Sequence, residues 1–354
     1  MHPHTQLTDT QALPQKAITH KRDTAFPSHA DAFETVAITS PVRDTVRDTP
    51  AGRAIPAANL PSLPDRDREM LRQLVQLRLL TYSQLRDVSY AGTHPSVTRR
   101  RVNQLVRTGV LSTWEWPSRR GGHTRYAVPT PTVLRAVSEE LLQSVEREPF
   151  APLVRLMVPQ TTRRALQLSG STAPNWLAHQ TEVNALLLKL PRAQALRWMS
   201  SWDCPFPSKL TSFVLPQPDY VVVEAHEDGP RLVFGEHDRG SEPIDRFISR
   251  KVLLYAALAS FPEACAHHFG FPTFTVRVSV TDPVHRAPMR RLMNLIMATR
   301  HAGGSEMADL FRFTLAGWLH AYPAEPIWFA PDDDPPHESP RWQDHAGRHA
   351  QRRS

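Results

Sequence analysis

The spacing of apolar residues changes character along the chain and divides it into segments. Up to about residue 60 no period is sustained. Pro64-Asp65 then opens a helix with acids in its first turn, and Met70, Leu71, Leu74, Val75 and Leu77 form its apolar stripe. Thr81 is placed to cap a short second helix, Tyr82 to Val88. A third helix follows His94-Pro95-Ser96, from Val97 to Thr108, and Gly109 stands where helices end. Two strand-like runs come next, Val110 to Trp116 and His123 to Val128, joined by Pro117-Ser118-Arg119-Arg120-Gly121-Gly122. Three helices followed by a basic hairpin predict a winged helix-turn-helix, with the third helix as its reader.

Helical periodicity returns from Val133 to Val145, and Pro149 to Pro159 reads as irregular. A different pattern starts near Pro174. Asn175 to Leu190 reads as a helix carrying His179 and Glu182, with Val183, Leu186, Leu187 and Leu190 as its apolar stripe. Strands are predicted at Ala195 to Trp202, Tyr220 to Glu224 and Leu232 to Glu236, then a helix at Glu242 to Ser260. A strand from Phe274 to Val280, a long helix from His285 to His301, and strand-like runs at Phe311 to Leu315 and Ile327 to Phe329 complete the segment. The order α-β-β-β-α-β predicts a mixed sheet with helices on its faces. The fold class expected is thus α+β or α/β. Its parts are a disordered arm (1–60), a winged helix-turn-helix (61–145), a connector (146–173), a mixed-sheet domain (174–330) and a disordered tail (331–354).

Charge sharpens this division. The 354-residue chain has a formal net charge of +7. Residues 61–130 hold twelve arginines against five acids, a surplus equal to that of the whole chain, whereas residues 174–330 are neutral overall. Positive charge concentrated in the proposed reader is what counterion-release binding to DNA requires. Arg99, Arg100, Arg101 and Arg107 lie on the third helix, and Arg119 and Arg120 at the hairpin tip, so these six are the candidate DNA contacts. The two cysteines, Cys204 and Cys265, form no CxxC, which argues against a disulfide scaffold or structural zinc and favours the cytoplasm. Cys265-Ala266-His267-His268 lacks four-ligand spacing. No apolar run approaches ~20 residues, so no membrane span is expected, and the first residues carry no secretory h-region.

The candidate chemistry sits in the neutral segment. Glu236 and Asp238 lie two apart in a strand-like run, which points both carboxylates to one face. Asp219 precedes another such run, and neighbouring strands would bring the three acids together as oxygen ligands for Mg²⁺ or Mn²⁺. Lys251 follows on the next helix, in a chain where only five of 42 basic residues are lysine. Each acid also has an ordinary structural reading: Asp219 as a turn cap, and Glu236 and Asp238 as partners of Arg239, Arg246 or Arg250.

Several motifs occur in order: Leu63-Pro64-Asp65-Arg66-Asp67, Leu80-Thr81-Tyr82-Ser83-Gln84-Leu85 and the run from Arg100 to Leu111. They continue with His179-Gln180-Thr181-Glu182-Val183-Asn184, Pro218-Asp219, the run from Glu236 to Glu242, and Lys251 with Tyr255. Over about residues 61–330 the chain resembles the plasmid replication-relaxation family, a winged helix followed by a PD-(D/E)xK nuclease-like core. The resemblance implies a DNA-binding protein of plasmid replication or mobilisation, with DNA, replication or mobilisation proteins, or a second copy as partners. In a PD-(D/E)xK site Asp219 and Glu236 would hold the metal, and a lysine two residues after the glutamate would align the attacking water. Here Asp238 occupies that position. Asp238 would then serve as a third ligand, Lys251 would supply the missing positive charge, and Glu182, with His179 near it, would complete the acidic cluster. Two functions compete: a Mg²⁺- or Mn²⁺-dependent DNA-nicking enzyme, and a non-catalytic DNA-binding regulator on an inactive nuclease fold. A pure protein-interaction scaffold leaves the arginine concentration unexplained.

Overall fold

The computed structural model describes residues 62–117, 123–158, 173–190, 196–199, 209–210, 213–283, 285–304, 306–321 and 328–333. The expected arm 1–60, nearly all of the tail and the hairpin tip with Arg119 and Arg120 lie outside these residues. All described residues belong to one compact unit.

Helices α1 (Asp65–Leu77), α2 (Tyr82–Ser89) and α3 (Pro95–Arg107) pack around the stripe read from the sequence, with Met70, Leu74, Leu85 and Val102 fully buried. Thr81 and Gln84 form a reciprocal capping box at the start of α2, with backbone-to-side-chain hydrogen bonds of 3.0 and 3.1 Å. Gly109, at φ +73°, ends α3 in the left-handed conformation that glycine tolerates. A three-stranded antiparallel sheet follows. It orders β1 (Leu80–Thr81), β3 (His123–Pro129) and β2 (Leu111–Pro117), with β3 in the middle. Strand β1 is two residues long, too short for any period to reveal.

Helix α4 (Pro131–Ser144) matches its periodicity. The stretch expected to be irregular instead forms α5 (Ala151–Met157), which buries Leu153 and Met157. Pro152 in its first turn reads as a breaker but is tolerated there, because that N–H has no helical partner anyway.

Helix α6 (Ala173–Lys189) introduces the larger sheet, whose strands are β4 (Leu196–Met199), β7 (Tyr220–Glu224), β8 (Arg231–Asp238), β9 (Phe274–Val280) and β10 (Phe311–Leu315). A two-stranded hairpin, β5 (Lys209–Leu210) with β6 (Phe213–Val214), lies between β4 and β7 in the chain. The spatial order is β10-β9-β8-β7-β4. The pairs β8–β9 and β9–β10 are parallel, while β7–β8 and β4–β7 are antiparallel. Val221, Val222 and Val223 are fully buried, which is why β7 reads as a continuous apolar run rather than an alternation. Each contributes about 2 kcal/mol of transfer free energy. Gly235 admits the Tyr220 ring: a β-carbon there would collide with it.

The β8-to-β9 crossover begins with one long helix, α7 (residues 244–259), interrupted by a π-helical turn at Ile248–Val252. An unexpected helix, α8 (Pro262–Phe269), then buries Cys265 and Phe269; like α5 it has a proline in its first turn. Helix α9 (Pro288–Gly303) and the short α10 (Glu306–Leu310) lead to β10, and α11 (Ala316–Ala321) closes the described fold. Of the strand expected at Ile327 to Phe329, Ile327 lies outside the described residues, and Phe329 forms an isolated antiparallel bridge with Phe313.

One hydrophobic core runs from Met70 in α1 to Phe329. Buried polar contacts reinforce the junction between the N-terminal helices and α6. Asn184 Nδ2 donates to the Leu79 carbonyl at 2.6 Å, and Gln84 Nε2 donates to the Thr181 carbonyl at 3.0 Å.

Candidate functional site

Strand β8 presents opposite chemistry on its two faces. Glu236 and Asp238 face α7 and α9, and His237 faces α6. Asp219 lies just before β7, beside the end of β8. Its N–H donates to the Gly235 carbonyl at 2.8 Å, and its Oδ2 accepts the His237 N–H at 2.7 Å.

Around Glu236 the packing is dense. Lys251, inside the π-helical turn of α7, donates from Nζ to Glu236 Oε1 at 3.0 Å, lies 2.9 Å from Oε2, and also donates to the Gln217 carbonyl. Tyr255 donates its hydroxyl to Oε1 at 2.6 Å. The wider turn lies where Lys251 must reach the sheet, and π-bulges occur frequently at functional sites. Burial is the largest influence on Glu236. Helped by the negative charge of Asp219, it pushes the carboxyl up to about 7 against the opposing pull of Lys251 and Tyr255. Burial also acts to raise Asp219, but His179, Lys251 and the His237 N–H outweigh it and hold that carboxyl well below the usual range. Lys251 shows the same contest. Burial lowers its pKa, the charges of Glu236 and Asp219 raise it, and the net direction is upward.

The second face carries a separate network. His237 Nε2 lies 2.9 Å from Glu182 Oε2, and its Nδ1 lies 3.0 Å from Ser279 Oγ. Arg239 Nε donates to the same Glu182 oxygen at 3.1 Å. His179, one helical turn from Glu182, has its Nε2 3.1 Å from Asp219 Oδ1. Burial tends to lower its pKa, but the Asp219 charge prevails and raises it.

The sequence-derived set therefore divides. Asp219, Glu236 and Lys251 come together. Glu182 is not in direct contact with Glu236; it is held by His237 and Arg239 and touches the cluster through its neighbour His179. Asp238 is diverted: Arg291 on α9 takes both its oxygens, at 2.7 and 3.0 Å, and also donates to the Glu242 carbonyl at 2.6 Å. A planar guanidinium matches a carboxylate in this two-pronged way and leaves little of it for a metal. Arg239 and Arg246, read as partners of Glu236 and Asp238, pair with Glu182 and Glu242 instead. Tyr255 and Arg291 received no chemical role from the sequence. Tyr255 had a signal, standing four residues after Lys251 and so on the same side of the helix. Among the described residues no group of three or more His, Cys, Asp or Glu side chains is arranged to hold a metal ion.

The arginines of α3 also divide. Arg99, Arg100 and Arg107 are exposed and line a shallow open groove with Ser96, Asn103 and Val106. Arg101 turns inward. Its Nε donates at 3.0 Å to Asp67, which is fully buried and also accepts the Tyr90 hydroxyl at 3.1 Å. Arg119 and Arg120 lie outside the described residues.

These features define a mixed α+β protein with an acid pair, a lysine and a tyrosine clustered at one end of its sheet, and with exposed arginines on a separate helix. The family model for replication-relaxation matches residues 71–274, more than half of the chain and the whole span from Leu71 to Lys251, so the chain belongs to the replication-relaxation family. No curated protein and no solved structure matches it. Among the described residues no helix is long and apolar enough to cross a membrane.

Proposed function

We propose that this chain is a DNA-binding protein of plasmid or mobile-element replication or mobilisation. In this reading α1–α3 and the three-stranded sheet act as a winged helix-turn-helix, and the Asp219–Glu236–Lys251 cluster is a phosphodiester-nicking site of the PD-(D/E)xK type. The observation that carries the second part is Lys251 Nζ at 2.9 Å from Glu236. An ammonium supplied from the next helix takes the place of the lysine that the strand lacks at Asp238.

The donor set fits Mg²⁺ or Mn²⁺. Asp219 and Glu236 offer oxygens only, the hard donors that Mg²⁺ and Mn²⁺ take. Asp219 and Glu236 would hold the ion, and a bound metal supplies an acidified water. The chain's own residues do the rest. Tyr255 fixes the Glu236 side chain, the His237 N–H and His179 hold Asp219, and Lys251 keeps positive charge where negative charge grows on a phosphate. Arg99, Arg100 and Arg107 would meet the DNA backbone or base edges.

A second reading, a DNA-binding regulator on an inactive nuclease fold, is favoured by a different observation. Both Glu236 oxygens already receive protein donors. Supercoiled plasmid incubated with the protein, with and without Mn²⁺, separates the two. Metal-dependent relaxation that disappears in Asp219→Ala supports the nicking site. Unchanged supercoiled DNA together with a retarded band on a binding gel supports the regulator.

A further inference from the structure

Three exposed arginines that none of the roles above uses stand on the segments that follow β8 and β9. Arg250 on α7 and Arg286 and Arg290 around the start of α9 are exposed, and none has an acidic partner within ion-pair distance among the described residues. Their neighbours are committed elsewhere: Arg246 to Glu242, Arg291 to Asp238, Lys251 to Glu236. Asp245 is an exposed acid on the same segments.

The segment bearing Arg286 is built rather than loose. Buried Asp282 accepts the His285 N–H at 2.7 Å and the Ala287 N–H at 3.3 Å, and the Arg286 N–H donates to the Asp282 carbonyl at 2.9 Å. Arg286 itself stands at φ +56°, a conformation that residues other than glycine rarely take. A β-carbon on Gly240, in the loop after β8, would lie 2.9 Å from Asp282 Oδ1, so the two loops pack against each other. The Arg291–Asp238 fork then pins the start of α9 two residues from Glu236. This end of the sheet is also where Asp219 and Lys251 meet. It lies partly beyond the residues that the family model matches.

We propose that Arg250, Arg286 and Arg290 form a phosphate clamp for a DNA strand, separate from α3, that holds the backbone beside the Asp219–Glu236 cluster. The inference rests on the reading of that cluster as a nucleic-acid site, but not on its activity. The positive rim offsets the repulsion that two carboxylates exert on a phosphodiester, and arginine suits phosphate through its planar fork.

The test is the salt dependence of binding a short fluorescent duplex and the corresponding single strand. It is measured in EDTA with the full chain and with a triple variant, Arg250→Gln, Arg286→Gly and Arg290→Gln. Glycine is chosen at 286 because it accepts the backbone conformation, so loss of the fold is not expected, and a circular dichroism melt checks this. The slope of log affinity against log salt should become shallower by about 0.7–0.9 for each phosphate that the variant no longer neutralises, while binding through α3 persists. The matching lysine variant, Arg250→Lys with Arg290→Lys, should keep most of the slope. An unchanged slope on both DNAs in the folded triple variant overturns the clamp. The plasmid assay keeps this outcome apart from the other reading. A wild type that never nicks, but whose slope falls in the variant, removes the nicking function and leaves the clamp standing. Nicking that is intact with an unchanged slope does the reverse.

Discussion

Glu236 and Asp238 are two residues apart on one strand, share a face and are almost equally buried, yet they have opposite surroundings. Asp238 is closed by Arg291, whose fork covers both oxygens and which also reaches the Glu242 carbonyl. Glu236 is held by a lysine and a tyrosine, each with a single donor group, close enough to Asp219 for the two negative charges to oppose each other. The contrast recurs on α3, where Arg101 is tied to buried Asp67 while Arg99 and Arg100 stand free in solvent. An arginine fork on a buried acid is a structural device. In the proposed reading, the charges left incompletely neutralised are the ones that meet metal or DNA.

Removing one half of a fork should give the largest effects on stability. Arg291→Ala leaves Asp238 buried without its partner, and unfolding by urea should show a loss of about 3–5 kcal/mol. Arg101→Ala should cost a similar amount, because Asp67 keeps only the Tyr90 hydroxyl. A loss below about 1 kcal/mol in either variant would place the pair in solvent and remove the comparison. Glu236→Gln should act differently. It keeps the shape and the Tyr255 hydrogen bond, so the fold should survive, while Mn²⁺-dependent nicking should fall at least about 100-fold (about 2.7 kcal/mol in the barrier). A Gln variant that nicks at the wild-type rate removes Glu236 from the chemistry.

The next effect is on binding. Arg99→Gln with Arg100→Gln should change stability by no more than about 0.5 kcal/mol, because exposed side chains without partners add little. DNA affinity should nevertheless fall, and the salt slope should become shallower by about 0.9 for each phosphate left unneutralised. If Arg101→Ala weakens DNA binding more than this pair does, at temperatures where both proteins are folded, the assignment of Arg101 to the interior fails.

Much of this was legible because periodicity reports burial. Tyr220–Glu224, Phe274–Val280 and Phe311–Leu315 are bounded in the structure as their apolar runs predict. The capping role of Thr81 and the helix-ending role of Gly109 follow from local chemistry, and both hold. Two helices fell outside that reading: α5 lies in the stretch expected to be irregular, and α8 follows the helix expected to end at Ser260. Each has a proline in its first turn, where proline is tolerated. Periodicity also placed Glu236 and Asp238 on one face, but it carries nothing about what crosses from another element. The partner of Asp238 stands 53 residues later in the chain, and Arg101 finds its acid 34 residues earlier. Lys251 was the exception, because a lysine in an arginine-rich chain draws notice.

The last effect is the most specific to Glu236. Its carboxyl, at about 7 in the fold against 4.5 unfolded, is raised, so the fold favours the neutral acid. That contribution is complete below about pH 4.5 and is lost as pH rises towards 7. Asp219 has the opposite sign: its contribution holds above 3.8 and is lost on acidification. Urea midpoints measured in EDTA at several pH values should therefore diverge between wild type and Glu236→Gln. Wild type should lose stability relative to the variant progressively as pH rises from about 4.5 towards 7, and hold steady above that. Parallel curves for wild type and Glu236→Gln would mean that Lys251 keeps Glu236 ionised throughout. The two carboxylates of β8 would then differ only in the identity of their cation.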